Sequence, residues 1–317
     1  DDFIKVLPFH GKTIQDLEGG AIGAINYQLE KLRLKERALE LKGLDTAENL
    51  AHLQAEKSAL QAQYASLEKE LMDLYTPFKR DSLLVVTADG QQKEINFSEI
   101  VRLYQPNSQS LWEKVQHYVM KLLEFVSDDP REANTEGGIF PAIFGTVLMV
   151  MIMSLIVTPF GVVAAVYLRE YANQGFITRT IRIAVNNLAG VPSIVYGVFG
   201  LGFFVYFIGG NLDELFFAPA LPSPTFGTPG LLWASLTLAL LTLPVVIVAT
   251  EEGLSRIPRS VREGSLALGA TKFETLMRVV IPMASPAMMT GVILAVARAA
   301  GEVAPLMLVG VVKLAPN

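Results

Sequence analysis

Four stretches of this chain, Ile139–Tyr167, Ile183–Ile208, Leu231–Thr250 and Ala287–Val312, each reach the roughly 20 residues that a helix needs to cross a bilayer core about 30 Å thick. The first three hold no charged residue, and the fourth holds only Arg298 and Glu302. A soluble core would have to cover several such runs with protein alone, so the fold class expected is an all-α polytopic membrane protein. Pro141, Pro159, Pro192, Pro244 and Pro305 lie in these spans. Membrane helices tolerate them because neighbouring helices, hydroxyl side chains or water re-satisfy the freed backbone groups.

The charge is unevenly spread. Residues 1–137 carry 16 Lys and Arg against 23 Asp and Glu, and residues 138–317 carry 10 against 8. Two domains are expected, 1–137 and 138–317, and the acidic balance excludes a nucleic-acid binder, which needs a basic surface. With no cysteine, the chain has no disulfide framework and no thiolate metal or redox site. Basic residues in short loops mark the cytoplasmic side. The 169–182 loop has Arg169, Arg179 and Arg182, the 209–230 loop has none, and the 251–286 loop has Arg256, Arg259, Arg262, Lys272 and Arg278. This alternation puts 251–286 in the cytoplasm and residues 1–137 outside, in the periplasm of a cell whose inner (cytoplasmic) membrane the chain crosses. An exported region needs a leading segment, so a further membrane helix is expected before Asp1, and a returning one after Asn317.

Within the outer region, Ile22, Ile25, Leu29, Leu32 and Leu39 advance by threes and fours, with Glu36 filling one place in the seam. A second seam runs Leu50, Leu53, Lys57, Leu60, Tyr64, Leu67, Leu71, Leu74. Gly43 suits a helix C-cap, and Asp45 with Glu48 a capping box, so the pattern predicts a coiled-coil hairpin. Leu83–Thr87 and Lys93–Phe97 flank a turn at Asp89-Gly90 and predict a β-hairpin. A helix over about Ser110–Phe125 brings Leu111, Val115, Tyr118, Leu122 and Phe125 to one face, which either packs on the hairpin or lies on the membrane. His10, His52 and His117 are scattered without metal-ligand spacing.

The 251–286 loop is patterned as two short helices broken near Gly269-Ala270-Thr271, a shape that can insert into a groove of another protein. Arg298 and Glu302, at i and i+4, share one face and can pair. A charge at bilayer depth costs at least about 2.5–3.5 kcal/mol, so such residues face a partner or an aqueous path. Asn186 and Asn187 are polar residues in or near the second span, expected either to hydrogen-bond between helices or to face the same path. No Gly-x-Ser-x-Gly, His-Glu-x-x-His or paired intramembrane Asp supports an intramembrane enzyme, and no Walker loop is present.

Glu263, Gly269 six residues later and Val279-Val280-Ile281-Pro282 resemble the EAA loop of ABC-importer permeases, with Gly264-Ser265 in place of the two alanines. Together with Thr250-Glu251-Glu252, Ala267-Leu268-Gly269-Ala270, Pro192–Gly197 and Ala297–Leu306, the segment from about Gly137 to Leu308 is similar to the A-type permease subunits of phosphate-specific ABC importers. Ser127–Gly138 resembles the enlarged outer region of their long variants. The resemblance implies a type I ABC importer permease fold that forms half of a translocation pore, with no chemistry and no cofactor in this chain. It implies a second permease of the PstC type, a cytoplasmic ATPase dimer of the PstB type that holds ATP and Mg, a periplasmic phosphate-binding protein of the PstS type, and surrounding membrane lipid. Glu263, Gly269, Ala270, Lys272 and Pro282 are then expected to couple to the ATPase, and Arg298, Glu302 and Asn187 to line the anion path. The alternatives are a permease for another oxyanion, sulfate or molybdate, and a non-transporting sensor on a permease scaffold.

Overall fold

The seams of the first region bring two helices together antiparallel. Helix α1 (Gly23–Leu41), entered through a π-helical stretch Asp16–Ile22, buries Ile25 and Leu32, and α2 (Ala47–Arg80) runs back along it. Gly43 turns the chain with φ of 64°, its N–H donating to Glu40 and that of Leu44 to Leu39, the two bonds of a Schellman cap. The two polar interruptions of the seams, Glu36 and Lys57, face each other with 3.8 Å between charged atoms. The computed structural model describes residues 16–310 apart from 45, 81, 88, 97–99, 101–106, 108 and 132–135. The expected capping box of Asp45 and Glu48 and the strand residue Phe97 lie outside what is described. Strands β1 (Ser82–Val86) and β2 (Gln92–Asn96) pair antiparallel from Ser82↔Asn96 to Val86↔Gln92, and Gly90 closes their turn with φ of 77°.

Helix α3 (Leu111–Ser127) begins at a reciprocal cap: the Ser110 N–H donates to Glu113 Oε2 at 2.7 Å and the Glu113 N–H to Ser110 Oγ at 3.3 Å. Hydrogen bonds from the Ser110 backbone and then its side chain hold the Glu113 carboxyl below the usual glutamate range. A depressed carboxyl contributes its stability above the unfolded value and loses it as pH falls through the folded one. Acidification is therefore expected to fray the first turn of α3. Amide protection of Glu113 and Lys114, corrected for intrinsic exchange, should drop at acid pH in the native chain and lose that pH dependence in Glu113→Gln. Protection indifferent to acid in the native chain would remove the cap from the account.

A short antiparallel pair, β3 (Pro130–Arg131) and β4 (Glu136–Gly137), leads into the apolar half. There α4 (Phe140–Val166, continuing as a π-helical stretch Tyr167–Tyr171) is followed by α5 (Phe176–Leu188), α6 (Ser193–Phe216), α7 (Leu231–Ser255), α8 (Arg259–Ala267), α9 (Lys272–Ala300) and α10 (Ala304–Val309). Four of these, α4, α6, α7 and α9, are long and apolar enough to cross a membrane. Helix α7 is the most buried of them, and its Leu238, Leu241 and Val246 pack with Met153 and Val157 of α4 and Ala295 and Ala299 of α9. Three of its buried hydroxyls are satisfied within the helix, Ser235 donating to Leu231, Thr237 to Trp233 and Thr242 to Leu238, each within 2.8 Å, whereas the buried Thr250 hydroxyl has no partner among the described residues. The chain divides into two compact units, the first reaching His117 and including Ala218–Leu221, the second holding the remainder. The division falls within α3 rather than at residue 137, because the last turn of α3 bonds to the start of α4: Ile139 N–H donates to the Phe125 carbonyl at 2.8 Å.

Two of the expected spans have different ends. The second, placed at 183–208, is interrupted over Ala189–Pro192, and its crossing helix starts at Ser193 and runs to Phe216. Pro192, at φ −56° and ψ 136°, ends one helix and caps the next, since its ring admits no continuous ladder. The fourth, placed at 287–312, begins instead at Lys272, ends at Ala300 and is followed by the separate α10. Its early start includes Lys272, Glu274 and Arg278, charges that an apolar window passes over. The 251–286 loop is thus shorter than expected, and the second of its two helices is the first turn of α9.

Candidate coupling and permeation sites

The hairpin between α8 and α9 is built by two complementary caps. Gly269 adopts φ of 89°, its N–H donates to Leu266 and the Ala270 N–H donates to Ser265, closing α8 with a Schellman turn. A Cβ at Gly269 would meet nothing within 4 Å, so the left-handed backbone, not lack of room, calls for glycine there. Thr271 then opens α9 with a capping box, its N–H donating to Glu274 Oε2 at 2.9 Å and its Oγ1 accepting from the Glu274 N–H at 3.2 Å. The Thr-x-x-Glu spacing is the sequence signal that marks this helix start. Leu266, Leu268, Phe273 and Met277 stay exposed, Leu268 at 91%. Glu263 and Pro282 are exposed too. The hairpin thus displays four large apolar side chains among its charges.

The hairpin is tied to the membrane helices by ion pairs that no spacing in the sequence announces. Arg262 of α8 reaches Glu170 beyond the end of α4 at 2.8 Å, and also donates to the carbonyls of Leu254 and Ile257 at 2.9 and 2.7 Å. Its side chain is 20% exposed and that of Glu170 11%. Lys272 donates to the Glu170 carbonyl at 2.6 Å and sits 4.6 Å over the Tyr171 ring. Alongside, Arg182 of α5 pairs with Glu251 of α7 at 3.0 Å while donating to Gln174 and the Leu168 carbonyl. Five elements, α4, α5, α7, α8 and α9, thereby meet through charge at one end of the apolar unit.

Arg298 stands in the last turn of α9, whereas Glu302 falls beyond the Gly301 that closes it. They still pair, Nε to Oε1 at 3.5 Å, with side chains 32% and 19% exposed. The pair therefore sits at a break in the helix, Gly301–Val303, and not on one continuous face. That break neighbours the other one. Tyr196 of α6 is buried in the same cluster as Ala299 and donates to the Leu188 carbonyl at 2.8 Å, and a Cβ on Gly197 would lie 2.9 Å from Pro305 Cα. The segments Pro192–Gly197 and Ala297–Leu306, separate motifs in the sequence, thus meet in space. Asn187 is exposed in the last turn of α5, and among the described residues it makes no bond to Arg298 or Glu302. Asp213, in the stretch expected to be a loop, is instead buried on α6, its carboxylate accepting the N–H groups of Phe226 and Gly227 at 2.7–3.0 Å.

Four helices long and apolar enough to cross a membrane and a capped hairpin at one end of the apolar unit make up this architecture. The family model of the binding-protein-dependent transport system inner membrane component matches residues 157–316, about half of the chain, and the chain belongs to this family. It is a multi-pass membrane protein. Among its relatives, the phosphate transport system permease protein PstA 1 of Mycobacterium tuberculosis (strain ATCC 25618 / H37Rv) is 38% identical over 175 residues, covering 55% of this chain and 51% of that protein. The probable phosphate transport system permease protein PstA of Methanocaldococcus jannaschii is 34% identical over 173 residues, 55% of each chain. The probable ABC transporter permease protein YqgH of Bacillus subtilis is 32% identical over 201 residues, 62% of this chain and 60% of that one. The chain spans about half the length of the curated relatives it matches.

Proposed function

We propose that this chain is a permease subunit of an ABC importer that carries inorganic phosphate across the cytoplasmic membrane. Energy comes from ATP hydrolysed, with Mg, in a separate PstB-type ATPase dimer. The observation that carries the reading is the α8–α9 hairpin: it presents Leu268 and Phe273 outward while Arg262 and Lys272 fasten it to the ends of the membrane helices. A push on such a hairpin is passed to α4, α7 and α9 instead of being absorbed by a loose loop, as alternating access requires. Phosphate as cargo is supported by the names of the relatives. A PstC-type permease forms the other half of the pore, a PstS-type binding protein delivers the anion on the periplasmic face, and residues 1–137 lie on that face.

In this reading Arg298, at the paired helix breaks, offers its fork to phosphate oxygens and Glu302 holds it between visits. Loss of one charge-assisted contact, worth about 1.5–3 kcal/mol, predicts that Arg298→Gln lowers uptake of radiolabelled phosphate about tenfold or more at equal assembly. The measurement is made in proteoliposomes carrying the full importer. Uptake at the native level in the variant would take Arg298 out of the path. Native importer that moves sulfate or molybdate but no phosphate would overturn the cargo.

A further inference from the structure

Helix α3 turns its apolar side outward. At about 100° per residue, Leu111, Val115, Leu122 and Val126 run along the centre of one arc, with Trp112 on one margin and Tyr118 on the other. Every one of these is at least 47% exposed. The opposite arc holds His117, Lys121 and Glu124, which are the half-buried residues of the helix. Lys121 pairs there with Glu124 at 3.0 Å. A helix in water does the reverse, hiding its apolar stripe and showing its charges.

We propose that α3 lies flat in the lipid–water interface, its apolar arc sunk into the boundary between headgroups and acyl chains. Its attachment to α4 leaves little alternative. Besides the Ile139-to-Phe125 bond, the Gly138 N–H donates to the Asp129 carbonyl at 3.0 Å and the Phe140 N–H to the Asp128 carbonyl at 3.3 Å. Gly138 is so close to the Asp128 backbone that a side chain there has no room. The last turn of α3 is thus held where α4 enters the bilayer at Phe140. Dipping into the hydrocarbon core would immerse Glu113, Lys114 and Lys121, and standing out into water would hydrate the whole apolar arc. Only the interfacial plane accommodates both arcs. Trp and Tyr favour that depth, and Lys114 borders the arc where its stem can lie along it and its ammonium group reach headgroup phosphates. The inference rests on the membrane crossing alone and is independent of the cargo and of which side of the membrane α3 occupies.

Because the chain has no cysteine, a single introduced thiol reports one position. The full-length chain is reconstituted in phosphatidylcholine vesicles as Leu122→Cys, Val115→Cys or Glu113→Cys, each carrying an environment-sensitive fluorophore. The Leu122 and Val115 positions are expected to lose roughly half of their emission to lipid brominated near the headgroup and little to aqueous iodide, and the Glu113 position to show the opposite. Quenching of the Leu122 and Val115 positions by iodide and not by brominated lipid would place the arc in water and overturn the proposal. Quenching by neither would mean that a protein surface covers it, which overturns the lipid assignment equally.

Discussion

Arg262→Ala will detach the coupling hairpin from the membrane helices. The guanidinium makes three bonds in diverging directions, to Glu170, to Leu254 and to Ile257, and both partners of the ion pair are largely buried. Its removal leaves the Glu170 carboxylate without its cation in a site poor in water, at a cost of about 3 kcal/mol. Lysine will not rescue, because one ammonium cannot reproduce a planar fork spanning three acceptors. Amide exchange across Arg259–Thr275 should accelerate, and transport should fall while the chain still inserts. In a double-mutant cycle, Glu170→Gln combined with Arg262→Ala should cost clearly less than the two separately, since the second change removes the charge that the first strands. Additive costs with unchanged exchange in the hairpin would mean that the pair fastens nothing.

That pair also shows where reading a sequence stops. Arg262 and Glu170 are 92 residues apart and each looks like one more loop charge. Nothing in their spacing selects this pairing over Arg259 or Arg169, because the choice is made by how α4, α7 and α8 pack. The antiparallel hairpin of α1 and α2 was legible for the opposite reason: its seams and Gly43 are local signals, and even its two polar seam positions, Glu36 and Lys57, meet each other. The number of crossing helices was legible as well, since a helix-length run without charge can hardly be covered by protein alone. Their ends were not. Helix α9 emerges from the apolar layer and continues, by way of a π-helical turn at Leu276–Val280, through Arg278, Glu274 and Lys272, so hydropathy registers only its middle. Pro192 was visible, yet its neighbours are apolar enough to bridge the break that it causes. Asp213 carried no signal at all, because a buried carboxylate served by two backbone N–H groups has the same sequence as a solvated one.

Gly291→Leu should strongly damage the packing of α7 against α9. A Cβ on Gly291 of α9 would stand 2.6 Å from the Ala249 Cβ of α7, and one on Gly253 of α7 would stand 2.5 Å from the Ala287 Cβ of α9. Both neighbours are bonded directly to backbone, so no rotamer change relieves the clash and the helices themselves must part. Small residues at such crossings let membrane helices approach and gain their dispersion contacts, which replace the hydrophobic driving force that lipid does not supply. A leucine at 291 will separate α7 from α9 along the contact where Val246, Ala295 and Ala299 are enclosed, and the overpacking is expected to cost about 3 kcal/mol. Gly291→Ala should produce a milder form of the same defect. Gly202→Ala supplies the comparison, because a Cβ there meets nothing within 4 Å. Thermal stability followed by size-exclusion chromatography in detergent should fall steeply for Gly291→Leu, less for Gly291→Ala and not at all for Gly202→Ala. Equal melting of all three would show that close approach of α7 and α9 is not what holds this unit together.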